Sequence, residues 1–456
     1  MRRVRDVDPG RIRVTFARNV SITLATRIGI LLIGLVTSVI MARSLGPEGK
    51  GLFSLAVLVP GMVFAATNLG LGTASGYLLG RKKASFEELA GNWLSLSLLI
   101  GFAALVISLV LAPALAPRWV PSVPLAAIAV ALGCVPFLNL VCNFQMLFRA
   151  NNDFRSFNIV EALQPAVFSV LFIAAAIGLS THLFSASVVA YLVSSIAGGL
   201  GAVFLASRIS RLTFRWNGAL VKEALGFGVQ QNLANVLNLL NYRFDMLLVN
   251  YFLDLKYVGF YSISVVIAEK LWYVPNILSA VLHPRVAHAG SEAEANRDTA
   301  RVSRITVLCI GVGAVGILLL GRPLVRILFS DRFLPAVVPL FVLLPGIVMI
   351  SIAKVINSDL TARGYPRANM WAGSVGFVSN VILNVILIPR IGLVGAALSS
   401  TVSYTHSAVV ILIFFLRITG VRISSLVVPT GADIRLLWDR SRSYLPWNKG
   451  PANGAP

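Results

Sequence analysis

"QQNLANVLNLLNYRFDMLLVNYF" runs from Gln230 to Phe252. As a helix it is long enough to cross a bilayer, which takes about 20 residues. Most of its large residues suit lipid, yet it carries two Gln, five Asn, Arg243 and Asp245. Gln231, Asn235, Asn238, Tyr242 and Asp245 follow one another at spacings that keep to one helical face. Leu233, Val236, Leu237, Leu240 and Phe244 occupy the other faces. A polar face cannot look at lipid without stranding its hydrogen-bonding groups. The helix is therefore expected to line an aqueous cavity or to pack on another polar helix. Arg243 lies off the stripe, about 100° from Tyr242 and near the register of Asn232. The competing reading is that these amides only glue helices together.

The surrounding chain decides what kind of segment this is. Of 456 residues, 57% are hydrophobic and only 12% charged, with a mean hydropathy of +0.82. A soluble domain is about 25% charged. Apolar runs of bilayer length recur along the whole chain, and the ten-residue alternation of a membrane barrel is absent. The expectation is an all-α polytopic membrane protein of about twelve transmembrane helices. The spans are expected at residues 20–42, 51–72, 90–112, 121–143, 157–179, 183–205, 226–250, 258–282, 305–321, 335–358, 369–388 and 393–416. That divides the chain into a basic tail (1–19), a first lobe (20–205), a linker (206–225), a second lobe (226–416) and a C-terminal tail (417–456). The basic start, "MRRVRDVDPGRIRVTFARNV", is too polar for a signal-peptide core and reads as a cytoplasmic tail before an uncleaved first span.

The net charge of +21 comes from 39 Lys and Arg against 18 Asp and Glu. Alternating the spans from a cytoplasmic N-terminus puts 27 of the cations in cytoplasmic segments and 8 in outward loops, with four inside spans. That asymmetry matches the positive-inside rule. It predicts both termini of a multi-pass protein in the cytoplasm, and explains most of the charge without nucleic acid. Cys134, Cys142 and Cys309 sit in apolar surroundings with no C-x-x-C pair, and His182, His283, His288 and His406 are scattered. No disulfide, metal site or cofactor is expected.

An internal repeat is visible. "IMARSLGPEGKGLFSLA" (Ile40–Ala56) aligns with "LVNYFLDLKYVGFYSIS" (Leu248–Ser264), so that Gly51 meets Gly259 and Phe53 meets Tyr261. "NFQMLFRANNDF" (Asn143–Phe154) aligns with "NSDLTARGYPRA" (Asn357–Ala368), so that Arg149 meets Arg363. Six spans are an even number, so the two six-helix lobes form a parallel repeat, an arrangement that suits alternating access around a shared site.

A charge near mid-bilayer costs about 2.5–3.5 kcal/mol on insertion scales and normally faces protein or water. Arg27, Arg243 with Asp245, Glu269 with Lys270, and Lys354 lie inside the expected spans, with Glu161 and Asp359 nearer the ends. Arg27 either snorkels to the interface or lines the cavity; Lys270 is too deep to snorkel easily. Four cations against two central acids suit an anionic substrate such as a phosphate or pyrophosphate. Asp245 is a candidate for carrying a coupling ion, and equally for pairing with an arginine.

"RSLGPEGKGLFSLA" (Arg43–Ala56), "NLGLGTASGY" (Asn68–Tyr77), "LFRANNDFRSFNIVEALQP" (Leu147–Pro165) and "LTARGYPRANMWAGSVGFVSNVILNVILIPRIGLVGAALSSTVSY" (Leu360–Tyr404) resemble the bacterial polysaccharide-biosynthesis or oligosaccharide flippases of the multidrug/oligosaccharidyl-lipid/polysaccharide exporter superfamily. The resemblance implies two lobes with spans one, two, seven and eight lining the cavity. It implies movement of a polyprenyl-pyrophosphate-linked oligosaccharide from the cytoplasmic to the outer leaflet, for surface polysaccharide biosynthesis such as lipopolysaccharide or exopolysaccharide. Polysaccharide polymerases and glycosyltransferases would be its partners beside membrane lipid. Arg27, Asn68, Gln231, Asn235, Asn238, Tyr242, Arg243 and Lys270 are then the substrate-binding candidates. Family members often have fourteen spans where this chain has twelve. "LVVPTGADIRLLWDR" (Leu426–Arg440) also resembles a tail seen in some members.

Three other readings remain. An ion-coupled multidrug or organic-cation antiporter of the same superfamily would want acids at the cavity centre. An enzyme would need a catalytic constellation, and no paired carboxylates, nucleophile with base, or phosphate-binding glycine loop is present; "GPEGKG" is not a P-loop. A scaffold would have no use for a wet interior.

Overall fold

The computed structural model describes residues 9–179, 182–431, 433 and 435, with side chains described from residue 22 onward except 227, 230 and 231. The described residues are mostly helical, with no strand among them: α1 (Pro9–Thr67), α2 (Leu71–Gly80), α3 (Phe86–Trp119), α4 (Leu125–Leu132), α5 (Val135–Ala150), α6 (Phe154–Gly178), α7 (Leu183–Ser207), α8 (Gly218–Phe252), α9 (Leu255–Glu269), α10 (Tyr273–Ala287), α11 (Glu292–Phe329), α12 (Val337–Ala362), α13 (Arg367–Thr419) and α14 (Ile423–Val427). Among them nine helices are long and apolar enough to cross a membrane. Two of the nine, α1 with α2 and α13, are folded at glycine breaks into two spans each. A straight helix of 59 residues would run about 90 Å, far beyond the roughly 30 Å of a hydrocarbon core. The 35-residue α8, which holds the polar stripe, falls outside the nine and completes twelve.

The breaks follow from backbone chemistry. Gly46 takes φ 67° and ψ −176° in the middle of α1, a conformation only glycine adopts readily, and Pro47 then opens the next span with φ already set. Ile391 and Gly392 divide α13 in the same way, with Gly392 at φ 60°. Span two was expected as one run over 51–72; it breaks at Asn68–Gly70 and resumes as α2. Span eight was expected unbroken; it carries a 3-10 turn at Lys270–Trp272. Pro275 cannot donate to the carbonyl of Leu271, and its ring crowds that carbonyl, which disrupts the preceding helical turn.

The chain divides into two compact units, one of residues 1–263 with 324–335, the other of 264–323 with 336–456. The first has a core of Leu71, Leu78, Trp93, Phe144, Phe148 and Ala202 among others, with Trp93 Nε1 donating to Ser75 Oγ at 2.7 Å. In the second, Leu282, Val286, Ala295 and Val355 pack together. Large apolar side chains such as Val110, Ile177 and Leu319 stay exposed, as expected of a surface solvated by lipid rather than water.

Within the first unit two repeat-related glycines make a reciprocal crossing. A Cβ on Gly51 would lie 2.3 Å from the carbonyl oxygen of Leu255, and one on Gly259 would lie 1.9 Å from that of Pro47. Pro47 and Leu255 are themselves matched by the repeat. The symmetry read from the sequence thus reappears as two backbones touching through the same pair of positions.

Candidate functional site

The stripe on α8 does not meet one uniform environment. Asn235 is exposed, Asn238 and Tyr242 are half-buried, and Asp245 is fully buried. The Gln231 side chain lies outside the described residues. Asp245 is enclosed because α9 returns alongside: Tyr261 Oη donates to Asp245 Oδ2 at 2.6 Å, and Met246 N donates to Oδ1 at 2.8 Å. A carboxylate held this way is satisfied inside protein. The stripe is therefore open at its N-terminal end and closed at its C-terminal end. Asn232, off the stripe, is buried and donates to the carbonyl of Ala65 on α1 at 3.0 Å, which is the glue role. Arg243 is half-buried, with Nη1 donating to the carbonyl of Tyr242 at 3.3 Å.

Asn68 sits at the break between α1 and α2, with Nδ2 directed to Cys142 Sγ at 3.2 Å. The break is fixed from both sides. Gly70, at φ 70°, lies so close to α8 that a Cβ there would come 2.3 Å from the Gly228 carbonyl oxygen. Gly72 N, an orphan donor of the first turn of α2, is taken by Asn143 Oδ1 at 3.0 Å, and Asn143 Nδ2 donates onward to Ser97 at 2.9 Å. A discontinuous helix beside a polar helix is the form that substrate sites take in many transporters. The sequence reading named Asn68 and passed over Asn143, whose role depends on where α5 docks.

Arg27 is on α1, half-exposed, with Nε 3.4 Å from Glu161 Oε1 of α6. Arg149, at the end of α5, is exposed and interacts electrostatically with both Arg27 and Glu161. Next to them Asn158 Nδ2 donates to Thr23 Oγ1 at 3.1 Å. These groups gather at one end of the first unit, from helices far apart in sequence. In the sequence Arg149 stands out only as a repeat match and Glu161 only as an acid near a span end.

Lys270 belongs to the second unit, on the 3-10 turn, with Nζ 5.7 Å from the Tyr273 ring centroid. Lys354 Nζ lies 4.5 Å above Trp272, and Glu269 interacts electrostatically with both lysines. The cations foreseen inside the spans therefore lie in two groups, one in each unit, with Arg243 apart on α8.

The family described as "Polysaccharide biosynthesis protein" matches residues 40–338, well over half of the chain. "Probable low-salt glycan biosynthesis flippase Agl15" of Haloferax volcanii is 26% identical over 168 residues, 36% of this chain and 36% of that protein. The matched part thus spans about a third of the length of that curated relative. Among solved structures, "Lipid II flippase MurJ, inward closed conformation" superposes with a TM-score of 0.75 at 16% identity, covering 93% of each chain. An inward-facing multidrug resistance MATE family transporter superposes with a TM-score of 0.67 at 15% identity, covering 87% of this chain and 98% of the other. The chain belongs to the polysaccharide biosynthesis protein family and has the fold of the multidrug/oligosaccharidyl-lipid/polysaccharide exporter superfamily.

Proposed function

We propose that this protein is a flippase that carries a polyprenyl-pyrophosphate-linked oligosaccharide from the cytoplasmic to the outer leaflet of the bacterial inner membrane. Both termini are cytoplasmic in this reading, and the two six-helix lobes, 20–205 and 226–416, give alternating access. The observation that carries it is α8, a helix of membrane-spanning length whose exposed and half-buried positions include the polar Asn235, Asn238 and Tyr242 as well as the apolar Leu233, Leu237 and Leu240. A sugar and its pyrophosphate cannot enter hydrocarbon unaided, because each unpaired polar group would cost several kcal/mol. A hydrated face beside α1 and α2 removes that cost. Arg27, Arg243 and Lys270 neutralise the pyrophosphate, and Asn68, Gln231, Asn235, Asn238 and Tyr242 exchange hydrogen bonds with sugar hydroxyls while the prenyl tail stays in lipid.

Asp245 is the coupling candidate, and Tyr261 would have to release it before it could exchange a proton or Na⁺. Removal of the pH dependence of transport by Asp245→Asn is expected if it carries a proton; an unchanged profile takes it out of that role. The delivered glycan would pass to a surface-polysaccharide polymerase, and glycosyltransferases would supply it.

The test is reconstitution in vesicles with a polyprenyl-pyrophosphate-linked oligosaccharide, scoring leaflet exchange, beside uptake of a fluorescent organic cation. The flippase reading expects exchange of the lipid and no cation uptake. The reverse result assigns the protein to the multidrug branch.

A further inference from the structure

We infer that Glu161 is an internal stand-in for the substrate's phosphate groups: in the unloaded protein its carboxylate fills the seat between Arg27 and Arg149 that a diphosphate takes on binding. This rests on the flippase reading and specifies which cations of that site receive the anion and what holds them beforehand.

The Arg27–Glu161 pair is loosely made. Its 3.4 Å separation exceeds the roughly 2.7–2.9 Å of a charge-assisted hydrogen bond. Arg27 Nε and Glu161 Oε2 are both buried atoms without a hydrogen-bond partner, and so is Asn158 Oδ1 beside them. Buried polar atoms are normally paired; Arg27 Nε is the donor among these three, and a diphosphate oxygen taking the place of the Glu161 carboxylate would complete it. A pair made for stability looks different. Arg363 Nε and Nη2 grip Asp359 at 2.6 and 3.2 Å, with Asn296 and Thr299 filling the remaining valences.

Arg149 supplies the second cation. Its side chain makes no hydrogen bond and no ion pair among the described residues, and interacts with Arg27 and Glu161 through space. The repeat explains why. Arg149 matches Arg363, but the position that matches Asp359 is Gln145. The first half therefore lacks the acid that neutralises this arginine in the second. Two guanidinium groups facing one carboxylate leave positive charge over, and a diphosphate, with more charge and more acceptors, suits two arginine forks better.

The surroundings fit an amphiphile. A neighbouring cavity of about 470 Å³ is lined by Ile22, Thr26, Arg155, Asn158 and Ile159 among others and meets the seat at Asn158, while Arg27, Arg149 and Glu161 stand outside its lining. Ile22 and Ile159 are exposed, so an apolar chain could leave the seat along them while Asn158 Oδ1 accepts from a hydroxyl near the diphosphate.

The test measures binding to the full-length protein in nanodiscs, with farnesyl pyrophosphate and inorganic pyrophosphate as probes. Glu161→Gln removes both the competitor and its repulsion, so farnesyl pyrophosphate is expected to bind at least about threefold tighter. Arg149→Gln is expected to weaken it about tenfold or more. Inorganic pyrophosphate is expected to compete, since the seat reads the diphosphate; failure to compete assigns the affinity to the prenyl chain and overturns the inference. Unchanged or weaker binding by folded Glu161→Gln overturns it too. Should Glu161→Gln not fold, Arg149→Gln carries the test, and unaltered affinity there is equally fatal. If the wild type binds neither probe, the flippase reading falls as well. If the wild type binds and only the variants disappoint, that reading stands and this inference alone is lost.

Discussion

Arg149 and Arg363 hold matching places in the two halves of the repeat and live in opposite circumstances. Arg363 is locked by a fully buried Asp359 one helical turn away, with Asn296 as a further acceptor. Arg149 is exposed and faces only a loose pair across the helix interface. The ancestral symmetry is legible, yet one arginine fastens a helix end and the other is left available.

The largest effect tests the locked side. Asp359→Ala strands a buried guanidinium, and loss of one partner of a buried pair costs about 3–5 kcal/mol. The variant is expected to lose much of its folded fraction in detergent on size-exclusion chromatography. A fully stable variant would erase the contrast.

Next comes the symmetric part of the comparison. Gly51→Ala and Gly259→Ala each push a Cβ into a backbone carbonyl of the facing helix. Overpacking of this kind costs about 1–3 kcal/mol, and the two variants are expected to lower the unfolding temperature alike. A large loss from only one would mean the crossing is not shared.

Tyr261→Phe removes the hydroxyl donor of a buried carboxylate and is expected to cost about 1–3 kcal/mol. Asp245→Asn in the same background should restore part of that, because the acceptor charge is gone. Thermal unfolding of the single and double variants reads both.

Glu161→Gln is expected to stay within about 1 kcal/mol of the wild type, since half-exposed pairs contribute little. A loss as large as that of Asp359→Ala would make the loose pair structural.

The smallest effect concerns the tail. Arg304 grips Asp433 through Nε and Nη2 at 2.6 and 3.2 Å and donates from Nη1 to the Ser425 carbonyl. The Arg304 guanidinium, helped by hydrogen bonds from Thr430, holds the Asp433 carboxyl well below the usual carboxylate range. A depressed folded pKa means the contribution is complete above the unfolded value of about 3.9 and is lost only as pH falls through the lower folded one. Protease cleavage of the tail is therefore expected to be constant from pH 5 to pH 8 and to rise only in stronger acid. Asp433→Asn is expected to speed it at neutral pH.

The fold was legible because burial in lipid imposes long apolar runs, and their number survived in the structure. The helix breaks were harder to read. Gly70 and Pro275 stand in sequence as ordinary transmembrane glycine and proline, and only the approach of Gly228, or the carbonyl of Leu271, shows what each does. The candidate residues were legible as a list, and their neighbours were not. The periodicity put Asn235 and Asp245 on one face, but that Tyr261 closes one end of it depends on α9 packing back. Arg27 was named from depth alone, whereas its partners come from α5 and α6, which no spacing in the sequence ties to α1.

The central claim is that the open end of the α8 stripe serves a hydrated cargo. Its most direct measurement is leaflet exchange of a polyprenyl-pyrophosphate-linked oligosaccharide by the Asn235→Leu/Asn238→Leu double variant in vesicles. The account predicts a protein that inserts and unfolds at a normal temperature but exchanges lipid at least about tenfold more slowly, a barrier change of about 1.4 kcal/mol. Wild-type exchange by a stripe turned to leucine would contradict it.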